Sequence, residues 1–95
     1  MIKIVAKCHV KPEGKEEFLK LAETLVAASK AEEGNIDYAL HESVQDPYAL
    51  AFIEVWRDPA AIDSHNHSEH FTTIFPQLGA LCDGPDDIAV YKVLI

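Results

Sequence analysis

Ninety-five residues, 48% hydrophobic and 25% charged, suit one compact domain over residues 1–95 and leave no room for a second. Sixteen acids against eight bases give a formal charge of -8, which argues against nucleic acid as a partner because phosphate contacts need a basic surface. No apolar run approaches the ~20 residues of a membrane span and no basic leader opens the chain, so a cytoplasmic protein with no membrane partner is expected.

The first element is a strand. From Ile2 to Val10, Ile2, Ile4, Ala6, Cys8 and Val10 alternate with Lys3, Val5, Lys7 and His9, and Pro12 and Gly14 end the run. Phe18, Leu21, Ala22, Leu25, Val26 and Ser29 then recur at helical spacing, which predicts a helix from Lys15 to about Glu32 with Gly34 as its stop. Ile36, Tyr38 and Leu40 mark a second strand, closed by a turn over Gln45, Asp46, Pro47 and Tyr48. The third strand, Ala49 to Trp56, is apolar on both faces except at Glu54 and so reads as central.

Asp58 and Pro59 form an N-cap and first-turn pair for a helix running through His65, and Ser68 offers a second cap. Phe71, Ile74, Phe75, Leu78 and Leu81 make a further helical stripe, in which Pro76 is expected to cause a kink or a split. After Gly84 and Pro85, Ile88 to Ile95 forms the last strand. The order strand, helix, strand, strand, helix, strand predicts an α+β fold, a ferredoxin-like βαββαβ sandwich. Its helices can cover one sheet face only. Because the third and fourth strands are apolar on both faces, a homodimer packed sheet to sheet, a dimeric α+β barrel, is expected.

Cys8 and Cys82 lie far apart with no metal-type spacing and read as two reduced thiols. Phe52, Glu54 and Trp56 share a face of the third strand. Trp56 could therefore wall a site for a flat substrate, and Glu54 could line that site or pair with a cation. His65, whose imidazole titrates near neutral pH, is the candidate general base. Lys7 could hold an anionic oxygen if its face is the pocket side. His65 and Glu69 are spaced i,i+4 within the cluster His65, His67, Glu69 and His70, but no third ligand is evident, and no metal is expected.

The ordered set Glu33, Gly34, Asn35, Tyr38, Glu54, Trp56, Asp58, His65, Ser68, His70 and Phe71 resembles the antibiotic biosynthesis monooxygenase family of small ferredoxin-like dimers, nearly end to end. Within that family Glu54, Trp56, His65 and His70 look most like the quinol monooxygenase branch. The resemblance implies an enzyme that oxidises a small dihydroxyaromatic with O2 and no cofactor, with His65 and Trp56 catalytic and Glu54, Phe52, Lys7, Tyr38, Phe71 and His70 around the substrate. A sugar-phosphate isomerase branch shares Glu54, His65 and His70 but has tyrosine where Trp56 stands, and a binding module without turnover is the third reading. The haem-degrading branch uses Asn, Trp and His at positions that are Lys7, His65 and Phe75 here, so none carries over. The anthrone oxygenase pattern keeps only Trp56, with Phe52 and Ile62 in place of its Asn and Tyr.

Overall fold

The computed structural model describes all residues, 1–95. The chain forms β1 (Ile2–His9), α1 (Lys15–Lys30), β2 (Asn35–Glu42), β3 (Ala49–Trp56), α2 (Pro59–Asn66), α3 (Glu69–Ala80) and β4 (Asp87–Lys92), with one turn of 3-10 helix at Pro12–Gly14. The four strands make one antiparallel sheet in the order β2-β3-β1-β4, the ferredoxin-like arrangement anticipated from the element order. No helix is long and apolar enough to cross a membrane.

Period-2 alternation decides which residues meet the helices. Register places Tyr38, Glu54, Ile4 and Val90 in one row across the sheet and Leu40, Phe52, Ala6 and Ile88 in the next. The inner parts of both rows join Phe18, Ala22 and Leu25 of α1 and Ile74 and Leu78 of α3 in the core. The β4 ends do not: Ile88 is 54% and Val90 63% exposed. On the opposite face Val5, Ala39, Ala51, Ile53 and Val55 are only half-buried, and Lys3, Lys7 and His9 are exposed.

Three local expectations change. The α1 helix stops at Lys30, and Gly34 does not adopt positive φ; only Gly84 does, at 75°. Gly34 is needed for close approach, since a Cβ there would stand 2.3 Å from the Ala61 Cβ of α2. Pro76 neither ends nor divides α3, which runs unbroken from Glu69 to Ala80. The helix is instead separated from α2 at Ser68, whose Oγ accepts the Phe71 N–H at 3.2 Å, a cap of about 1 kcal/mol. Finally, β4 ends at Lys92 rather than Ile95, and only Val93 adds a further backbone bond, to Met1.

Candidate active site

The site is built where β3 and α2 meet. Asp58 accepts the Ala61 N–H at 2.9 Å and Pro59 opens α2, so the eight-residue helix starts at a fixed point and delivers His65 in its last turn. Ser68 then donates its hydroxyl to the His65 carbonyl at 2.6 Å, which holds the end of α2 against the start of α3. The imidazole is 1% exposed. It packs between Trp56 and Phe71, with ring centroids 4.6 and 4.8 Å away, and Tyr38 lies at 5.4 Å.

His65 Nδ1 lies 2.6 Å from Glu32 Oε2, and His70 Nε2 lies 2.9 Å from the same oxygen. His65 Nε2 is buried and has no hydrogen-bond partner. Burial holds the His65 pKa below the ordinary imidazole value, outweighing the opposing pull of Glu32, and His70 adds to the depression. Burial thus favours the neutral ring, in which the nitrogen without a proton is a base.

Glu54 is 6% exposed, in the middle of a central strand. Its Oε1 accepts the Trp56 indole N–H at 2.8 Å. Burial pushes its carboxyl up to about 7; the indole bond opposes that and the nearby Glu32 charge reinforces it. A buried carboxyl that titrates near neutrality can hold or release a proton under ordinary conditions.

Glu54 and His65 line one cavity of about 440 Å³. Ile4, Ala6, Ile88 and Val90 of the sheet form one side, Ile62, Phe71 and Phe75 of the helices the other, and Asn66 supplies one more polar group. Phe71 and Phe75 are stacked, with centroids 4.7 Å apart, and present a flat aromatic surface. No lysine or arginine lines the space. Mostly apolar walls with a few convergent polar atoms are the usual makeup of a small-molecule site.

Of the residues expected from sequence, His65, Glu54 and Phe71 meet in this cavity. The others do not line it. Trp56 is fully buried behind His65 and Glu54, so it supports the wall instead of forming it. Tyr38 is buried in the core against Phe52, Trp56 and His65, and burial holds its phenol protonated well above the ordinary range. Phe52 lies one row further along and packs on Phe18. His70 reaches Glu32 from outside. Lys7 projects from the other face of the sheet, because β1 alternation puts Ala6 and Cys8, not Lys7, beneath the helices.

The grouping of titratable side chains also differs from the sequence expectation. His67 and Glu69 stay apart from the site, with His67 Nδ1 facing the Asp63 carbonyl at 2.8 Å. The convergent set is Glu32, His65 and His70, whose ligand-type atoms lie within 4.8 Å of one another. Glu32 was not singled out in the sequence, where nothing separates it from Glu33; the latter is exposed and reaches only Arg57, at 3.7 Å. Cys8, Cys82 and Asp86 form a second close group within 4.8 Å, with both thiols free.

Comparison with known proteins agrees with this architecture. The family model described as "Antibiotic biosynthesis monooxygenase" matches residues 1–77. The Bacillus subtilis protein named "Putative monooxygenase YcnE" is 41% identical over 88 residues, covering 93% of each chain. A conserved protein from Methanosarcina mazei superposes with a TM-score of 0.94 at 38% identity, over 96% of this chain and 90% of that one. A crystal structure described as an antibiotic biosynthesis monooxygenase gives the same TM-score at 32% identity over the whole of both chains. With its sheet order and a family match over most of its length, the chain belongs to the antibiotic biosynthesis monooxygenase family.

Proposed function

We propose that this protein is a cofactor-independent monooxygenase that oxidises a small dihydroxyaromatic of the quinol type with O2. The observation that carries the reading is that His65, whose buried Nε2 has no hydrogen-bond partner, lines with Glu54 an apolar cavity that has no lysine or arginine in its walls. A neutral aromatic fits such walls, and one ring hydroxyl supplies the hydrogen bond that Nε2 lacks.

In the proposed reaction His65 Nε2 takes a proton from that hydroxyl. The electron-rich anion passes an electron to O2, and the radical pair combines at a ring carbon to give a hydroperoxide. Loss of water leaves a new carbonyl. Diol and O2 thus yield a hydroxyquinone and water, and the diol supplies all the electrons. The protein contributes proton removal, orientation and exclusion of bulk water. Glu54, able to exchange a proton near neutrality, faces the same space and is suited to hold the second hydroxyl.

A phosphorylated sugar is a poorer fit, since its charge would enter a cavity with no lysine or arginine and with Glu54 in the wall. As part of the same proposal, the half-buried face of Val5, Ala51, Ile53 and Val55 pairs with a second copy to form a homodimer. The two free thiols suit a reducing, cytoplasmic setting.

The test is O2 uptake with a quinol in metal-free buffer. Uptake by the native protein that falls at least 100-fold in His65→Ala supports the reading. No uptake, or an unchanged rate in the variant, overturns it.

A further inference from the structure

We propose that Glu32 is a positioning residue that fixes His65 in the Nδ1–H tautomer and so leaves Nε2 as the proton-free nitrogen of a ring that lines the cavity, with His70 anchoring the same carboxylate oxygen. The tautomer claim stands on the two hydrogen bonds to Glu32 together with a neutral His65 ring, and its catalytic consequence rests on the monooxygenase reading.

A carboxylate oxygen only accepts hydrogen bonds. Glu32 Oε2 lies 2.6 Å from His65 Nδ1 and 2.9 Å from His70 Nε2, so each of those nitrogens is the donor. Two donors from two elements hold one oxygen, while Glu32 itself comes from the segment just past α1. The groups around His65 are Glu32, His70 of α3, Trp56 of β3 with Glu54 bonded to its indole, and Tyr38 of β2. Burial favours the neutral imidazole, the form that carries one proton. That proton is on Nδ1. The nitrogen left bare is Nε2, the atom with no partner in a ring that lines the cavity.

The arrangement has the logic of a base oriented by an acid: the base touches the substrate and the acid sets which nitrogen is free. It also explains a half-buried carboxylate just past the end of α1, where a negative charge is unfavourable for the helix dipole and needs compensation from elsewhere. The two histidines supply it.

The experiment is long-range 1H–15N correlation on protein labelled at histidine nitrogens, near pH 7.5, with Glu32→Gln and Glu32→Asp alongside. In the native protein His65 is expected to be the Nδ1–H form. In Glu32→Gln the amide can donate to Nδ1, so the Nε2–H form gains population, and Glu32→Asp restores part of the native pattern. With a quinol, kcat is expected to fall roughly 100- to 10,000-fold in Glu32→Gln, the range of a general base, with little change in KM. A native His65 in the Nε2–H form overturns the proposal without any variant. So does a Glu32→Gln variant whose tautomer and kcat both match the native protein. If native protein oxidises no quinol yet His65 is in the Nδ1–H form, the orienting role of Glu32 is upheld and only the monooxygenase reading fails.

Discussion

Trp56 donates its indole N–H to Glu54 across 2.8 Å, two residues apart on the same face of β3, so the one tryptophan holds the one carboxylate of the cavity wall. This bond satisfies the indole of a fully buried residue and half-compensates a buried acid. It leaves Glu54 with a pKa of about 7 instead of 4.5.

That displacement makes stability depend on pH in an unusual direction. An unfolded Glu54 loses its proton near 4.5 and the native one near 7, so between these values the native state holds more proton. Stability from this group is present below pH 4.5, falls as pH rises through the interval, and levels off above it, a loss of roughly 3 kcal/mol. Glu54→Gln removes the effect. Urea unfolding at pH 5 and pH 8 should show the variant gaining on the native protein at pH 8; an equal difference at both values would contradict the assignment.

Gly34 and Gly79 make a matched pair. A Cβ at Gly34 would collide with Ala61 of α2 at 2.3 Å, whereas one at Gly79 meets nothing within 4 Å. Gly34→Ala should cost about 1–3 kcal/mol by overpacking and disturb the start of the helix that carries His65. Gly79→Ala, inside α3, should gain up to about 1 kcal/mol from helix propensity. Thermal denaturation of both variants checks the pair.

Burial pushes the Cys8 thiol up to about 12, with Cys82 close beside it adding to the effect. Because the thiolate is the reactive form, alkylation of Cys8 at pH 8 should be at least 100-fold slower in native protein than in denaturant. Mass spectrometry of iodoacetamide-treated samples gives the rates. Equal rates would show that the site is open and the thiol ordinary.

How much of this could be read from the chain alone follows physical lines. Alternation in β1 and β3 and the stripes of α1 and α3 gave the sheet, the helices and the core, because periodicity is local. Alternation does not say which face the helices choose, and so the sequence admits Lys7 to a pocket that lies on the other side. Glu32 is not legible in the sequence because its partners are 33 and 38 residues away, and the neighbouring Glu33 has the same chemistry. Cys8 and Cys82 likewise come together across the chain where Val10 and Cys82 form an isolated antiparallel bridge just past the end of β1. Propensity predicts a kink or a split at Pro76, yet with Ile74 and Leu78 packed into the core α3 runs through it undivided.

The half-buried face of β3 tests the proposed homodimer. Ile53→Asp places a charge at its centre, opposite Val5 and Ala39 in register, without touching the cavity on the other side. Sedimentation equilibrium should find the native protein as a dimer and the variant shifted to monomer, with circular dichroism unchanged. A native monomer at micromolar concentration would remove the dimer from the proposal.

The most direct measurement is oxidation of a quinol under 18O2 in metal-free buffer, with native protein and His65→Ala in parallel. The expected result is one labelled atom in the hydroxyquinone and one in water, formed by native protein and nearly abolished in the variant. Product without label, or labelled product formed equally fast by both proteins, would contradict a monooxygenase in which His65 is the base.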